Sequence, residues 1–220
     1  MLKIEKTVLP SPEQWEIIIE GMRNPLNSWH LSDSYKTHIE NPETLNTADH
    51  EFFLGEKDHD LMMRLAKAGT THSKYRRMIP VMFTVTALTV WWIEFDTYKI
   101  STVRNSCSKM HKIHVAPFTL DNFSHEGCDE VPAALWCLEN TVNTLEILRQ
   151  RFNETQEKRY WRALLELLPH GYNMKATVML NYEVLANIYH TRKNHKLDEW
   201  HTFCDWIRGL PHSDIIIGGE

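Results

Sequence analysis

Residues 95–111 read FDTYKISTVRNSCSKMH and carry four hydroxyls, Ser101, Thr102, Ser106 and Ser108, beside Lys99, Arg104, Asn105, Cys107 and His111. Hydroxyls and cations at this density suit a phosphate, which takes several preoriented donors and at least one positive charge. They suit a heteroaromatic ring with several acceptors equally well. The run directly follows the apolar VMFTVTALTVWWIEF, so its polar groups stand just past a core-forming segment.

A second polar set lies in LNYEVLANIYHTRKNHKLDEW. On a helix starting at Asn181, the residues Val184, Leu185 and Ile188 share one apolar face. Asn181, Asn187 and Arg192 are the strongest hydrogen-bonding groups left over. A guanidinium engages two acceptors of a planar ring or a phosphate at once. The plainer reading of Arg192 is a solvated cation at a helix C-terminus.

Other constellations say less. Thirteen histidines include His111 and His114 at i, i+3 spacing and His190, His195 and His201 late in the chain. No HExxH or CxxC pattern accompanies them, so no metal is expected. Cys107 has His111 four residues on as a conceivable base, but its flanking serines suit a phosphate cradle better than a nucleophile. Neither GxGxxG nor GxxxxGK[ST] is present.

The elements that must position these groups follow from composition and period. The chain has 220 residues, 42% hydrophobic and 24% charged, which is enough for one sizeable core and excludes a disordered chain. A net charge of −5 argues against a general nucleic-acid or anionic-membrane surface, while leaving room for a local basic pocket. The longest apolar run, residues 81–93, is too short and too threonine-rich to span a bilayer. The start lacks the apolar core of a signal peptide. Four cysteines without a CxxC pair read as free thiols of a cytoplasmic protein.

Ser11-Pro12 opens a capped helix. Residues 24–56 read as irregular: a surface loop, or a segment ordered by a partner subunit. Residues 58–68 are helical, with Gly69 as the stop. Alternation over 79–85 gives a strand, and Leu88, Trp91, Trp92 and Phe95 at i, i+3, i+4 and i+7 give a buried helix. Residues 116–131 are loop-like. Pro132 opens a helix through Leu148, and another is expected over 153–168. Residues 177–180 are a short strand or a link. Asn181 caps one late helix and Asn194 the last, which ends at Gly209. The chain is α+β with helix in the majority.

The two polar blocks together resemble the flavin-dependent thymidylate synthases. That family carries a motif RHRxxSxNExSxRY after a strand and an aromatic-rich helix, and an LP followed by an N…N…R helix near its C-terminus. Leu168-Pro169, Asn181, Leu185, Asn187 and Arg192 match the second block without a gap. Ser73 and Tyr75 stand where the family has a threonine and an aromatic before the strand. In an ungapped register Ser101 and Ser106 fall on the family's two serines; a shifted register puts Asn105 and Ser108 on its Asn and second Ser. Departures are plain. In the ungapped register Asp96-Thr97-Tyr98 replaces RHR, Arg104 replaces the Glu, and Ser108 replaces the last Arg. Leu165 replaces an arginine before LP, for which Arg162 is a substitute.

The resemblance implies a helix-rich single domain over residues 1–220 with a small antiparallel sheet, assembled as a homotetramer. It implies FAD as cofactor, dUMP as substrate, and NADPH and methylenetetrahydrofolate as co-substrates for making dTMP. By position, Arg192 would help ionise the uracil ring. Lys99, Ser101, Arg104, Ser106 and Ser108 would hold the nucleotide phosphate, and Ser73, Asn105, Asn181, Glu183 and Asn187 would face the flavin. The replaced RHR leaves two alternatives: an enzyme acting on another pyrimidine nucleotide, or a non-catalytic nucleotide-binding or structural relative.

Overall fold

A computed structural model describes residues 1–39 and 49–218. In chain order these form β1 (Lys3–Val8), α1 (Pro12–Arg23), β2 (Tyr35–Ile39), β3 (Asp49–Phe53), α2 (Glu56–Lys67), β4 (Pro80–Leu88), α3 (Thr89–Phe95) and β5 (Val103–Ser106). Then follow α4 (Lys109–Lys112), α5 (Glu126–Asp129), α6 (Pro132–Thr155), α7 (Lys158–Leu167), β6 (Asn173–Asn181), α8 (Tyr182–Arg192), α9 (Asp198–Arg208) and α10 (Asp214–Ile217). The fold is helix-rich α+β, as the periodicity predicts, with small antiparallel sheets of the kind the resemblance implies. One sheet has the order β1-β4-β6-β5, and β2 pairs antiparallel with β3.

The chain folds as two compact units, the first built from Met1–Glu5, Thr84–Thr97 and Arg104–Val178. Within it, α3 buries Trp91, Trp92 and Phe95. The Trp92 indole N–H is not wasted, because it donates to the carbonyls of Ala87 and Met174 at 3.1 and 3.0 Å. A separate cluster of Ile113, Phe118, Phe123, Val142, Leu145 and Leu164 seats α6 and α7.

The second unit is Lys6–Phe83, Tyr98–Val103 and Met179–Glu220. The Ser11 side chain accepts from the Gln14 N–H, and the Gln14 side chain reaches back to the Ser11 N–H, a capping box that fixes the start of α1. Arg23 at the end of α1 pairs with the fully buried Asp58 of α2. Asp58 also accepts from Ser32 and Ser34, so one carboxylate ties two helices to the segment between them. Burial alone would raise the Asp58 carboxyl, but bonds from Ser32, Ser34 and Arg23 overcome it and hold it below its ordinary value.

Several boundaries differ from expectation. Residues 24–56 hold short 3-10 turns, Asn24–Leu26 and Trp29–Leu31, and the strands β2 and β3, rather than only irregular chain; residues 40–48 lie outside the described part. The helix expected from 153 starts at Lys158, because α6 runs on until Gln156 adopts φ 57 and ends it. The strand expected at 177–180 is twice as long, with Ala176, Val178 and Leu180 buried alternately. Asn194 does not cap α9: Leu197 is the capping position, and its N–H donates to His195 Nδ1 at 3.1 Å. The stretch 116–131 contains a 3-10 turn at Leu120–Asn122 and the one-turn α5. The stop at Gly69 is as expected, with φ 97, a conformation that costs glycine least.

Candidate functional site

Where β6 hands over to α8, the Asn181 side-chain carbonyl accepts from the Val184 N–H at 3.1 Å. That cap orients the first turn of α8 and leaves the Asn181 amide nitrogen as the group available to a ligand. Glu183 stands in the first turn of α8, Asn187 one turn further on and His190 about two turns on. These side chains line a cavity of about 790 Å³ in the second unit. A volume of this size is ample for a drug-sized or larger ligand. Ser101 lines the same cavity from the segment Tyr98–Val103, holding a left-handed φ of 60. Such a conformation is uncommon for a residue with a Cβ, and strain of this kind clusters at binding sites.

The cavity's electrostatics come from a group that the sequence reading passed over. Arg76 is 7% exposed. Its Nη1 donates to the Ile215 carbonyl at 3.1 Å and its Nη2 to Ser73 Oγ at 3.1 Å. Nε lies 2.8 Å from Glu183 Oε2, an ion-pair distance, but without hydrogen-bond geometry, so this buried N–H has no hydrogen-bond partner. Ser73 Oγ in turn donates to Glu183 Oε2 at 3.2 Å. Lys67 and Arg77 also line the cavity, so three cations face one carboxylate. The run KYRR looks solvated as a string. The 3-10 turn Lys74–Met78 buries Tyr75 and Arg76 together, and a doublet of arginines just before a strand is the only advance signal.

The remaining expected residues are placed as follows. Ser73 is fully buried behind the lining, held by Arg76 and Glu183. Lys99 belongs to the second unit and is exposed, outside the lining. Arg192, at the end of α8, donates from Nε to Tyr98 Oη at 2.8 Å and stacks 4.7 Å above the Trp200 ring. It is therefore a cation held in one pose by two aromatics rather than a loose surface side chain. Arg104, Asn105, Ser106 and Ser108 belong to the first unit. There Arg104 bonds Asp96 and lies 4.6 Å over Trp92; Ser106 is half-buried, while Asn105 and Ser108 are exposed. Arg162 is exposed and paired with Glu166. Among the described residues no group of three or more His, Cys, Asp or Glu could hold a metal ion.

Solved structures share this arrangement of elements. Thymidylate Synthase X (ThyX) from Helicobacter pylori, crystallised with FAD and dUMP, is similar at a TM-score of 0.68, with 16% identity over 98% of this chain and 96% of that one. A second structure of that enzyme with the same two ligands gives 0.67, 16%, 97% and 95%. The chain has a ThyX-like fold. The UMP/dUMP methylase PolB from Streptomyces cacaoi, bound with 5-Br dUMP, is similar at 0.62, with 11% identity over 98% of this chain and 93% of that one. No protein-family model matches the sequence, and no curated protein matches it. At such identities the likeness is one of backbone plan. No helix among the described residues is long and apolar enough to cross a membrane.

Proposed function

We propose that the chain is a divergent flavin-dependent thymidylate synthase, one ThyX-like domain that methylates dUMP to dTMP as a cytoplasmic homotetramer. Methylenetetrahydrofolate and NADPH are its co-substrates on this reading. The observation that carries it is the cavity where Ser101, Asn181, Glu183 and Asn187 meet around the buried Arg76. Support comes from the ligands of the similar structures, FAD and dUMP in one enzyme and 5-Br dUMP in the other.

The residues present fit a dianionic cofactor such as FAD. Arg76 has a buried N–H without a hydrogen-bond partner, and Lys67 and Arg77 add charge along the same lining. Such donors are worth most where water is excluded. We assign Ser73, Asn181, Glu183 and Asn187 to the flavin, together with Asn105. Lys99, Ser101, Arg104, Ser106 and Ser108 are assigned to the nucleotide phosphate. Arg192, held by Tyr98 and Trp200, is assigned to polarising the uracil ring toward its anion. A bound flavin would supply the hydride, and the protein supplies binding, orientation and electrostatics.

The test is the visible absorption spectrum of the purified protein, with and without added FAD, followed by gel filtration. A flavin band that travels with the protein is the expected result. Tritium release from 5-tritiated dUMP then reports turnover, with UMP assayed beside it because PolB is named for both nucleotides. A colourless protein that binds no added FAD removes the reading.

A further inference from the structure

The first unit holds a cavity of about 420 Å³ that the proposed reaction does not use. Met110, His111, His114, Phe152, Lys158 and Trp161 line it. The His111-Lys-Ile-His114 spacing noted in the sequence finds its place here. The cleft exists because Gln156 breaks the helix: its φ is 57, and its side-chain amide donates to the carbonyls of Phe152 and Asn153 at 3.2 and 3.1 Å. That turn brings Phe152, from the last turn of α6, into one cleft with Trp161 of α7.

The rings are fixed before any ligand arrives. Trp161 Nε1 donates to the Met110 carbonyl at 3.0 Å. The His114 carbonyl accepts from Asn153 Nδ2 at 3.1 Å and Arg149 Nη1 at 3.4 Å, which clamps its backbone. The His114 ring meets Phe152 edge-on, 4.9 Å between centroids at 70°. With its ring so held, His114 Nδ1 is buried without a hydrogen-bond partner. A buried ring nitrogen left unpaired is costly and normally finds a partner.

Charge points the same way. Lys158 has no carboxylate paired with it among the described residues, and no acidic residue lines the cavity. Lys158 also opens α7, where the helix dipole adds positive potential. Aromatic faces, a fixed unpaired ring nitrogen and an uncompensated cation are the complement of one ligand chemistry. We infer that this cleft binds a planar aromatic anion, a heteroaromatic ring bearing a carboxylate or a phosphate. Its ring lies against Phe152 and Trp161, its acid group on Lys158 and His111, and a ring heteroatom on His114 Nδ1.

Isothermal titration of the full chain tests this with three probes: quinoline-3-carboxylate, the uncharged quinoline-3-carboxamide, and adenosine 5′-monophosphate. At least one acid binds, and Lys158→Gln weakens it about tenfold, as loss of a charge-assisted contact does. The carboxamide binds about tenfold more weakly than its acid. Which acid binds tells a carboxylate ligand from a phosphate one. Trp161 packs on the core, so Trp161→Leu is read only if its melting curve stays cooperative; Lys158→Gln changes an exposed side chain and keeps the test open. Asn187→Ala, an exposed side chain lining the other cavity, leaves the affinity unchanged, so failure of the flavin reading and of this one are distinguishable. No binding of either acid, binding indifferent to Lys158→Gln, or binding lost in Asn187→Ala each overturns the inference.

Discussion

Arg104 Nη1 lies 2.8 Å from both carboxylate oxygens of Asp96, while its guanidinium covers the Trp92 ring. In the ungapped register Asp96 stands at the first Arg of the RHR motif and Arg104 at its Glu. The motif's opposite charges are thus present in exchanged positions, and here they touch. Asp96 is half exposed, so solvent screening keeps the pair's worth small. Asp96→Arg and Arg104→Glu should each destabilise the chain, and the double variant should recover about 0.5–1 kcal/mol of coupling in a urea-melt cycle.

Arg76 and Glu183 are a different case, with side chains 8% and 16% exposed. Arg76→Gln strands a half-buried carboxylate and should cost about 3 kcal/mol in the same melts. Adding Glu183→Gln should restore most of that loss, because the remaining pair is neutral. A double variant as unstable as the single one would contradict the pairing.

Acid should weaken the fold through Asp58. Its carboxyl is held below its ordinary value in the fold, so the chain carries that stabilisation above the unfolded pKa and loses it as pH falls through the folded one. Glu146, held down to about 2 first by its bonds with Arg149, acts in the same direction. Stability measured by calorimetry should therefore fall below about pH 4. Asp58→Asn should cost about 3–5 kcal/mol at neutral pH and flatten that acid slope.

The thiols sort by burial. Cys107 and Cys137 are exposed, whereas Cys204 is buried, its thiol pushed up to about 11 first by that burial. Ellman's reagent on the native protein should titrate Cys107 and Cys137 quickly and reach Cys204 only after denaturation.

If the proposed reaction is right, Arg192→Ala should lower tritium release by about a hundredfold, since a preoriented cation is lost from the reacting ring. Circular dichroism should stay native, because Arg192 is half-buried at a helix end. Unchanged release would remove the role assigned to this residue.

Much of the frame was legible. Asn181 as a cap, the alternation of β4 and the aromatics of α3 at i+3, i+4 and i+7 from Leu88 are local signals, and each has its counterpart in the fold. The start of β6 gives no clear strand signal, because Asn173 and Lys175 are polar there and only alternate residues face the core. Asn194 has the residue type of a cap, yet the helix starts only at Asp198, and a cap works only at the residue before the first turn. The site divides likewise. Glu183 and Asn187 stand at i, i+4 on α8 with Asn181 as its cap, so local spacing brings these three near one another. Arg76 and Ser101 join them through tertiary contacts that no window of sequence contains.

The cavity walls come from residues 66–77, 100–101, 181–190 and 217–218, and the unit that holds them is threaded from three separate stretches. Ribosomes release roughly 5–20 residues per second, and segments made early must wait for partners made late. Lys67, Arg76 and Arg77 therefore emerge well before the helix that carries Glu183. During synthesis Arg76 has no counter-ion and the pocket has no far side. A nascent chain stalled short of α8 should be unable to hold this ligand, however complete its first hundred residues look.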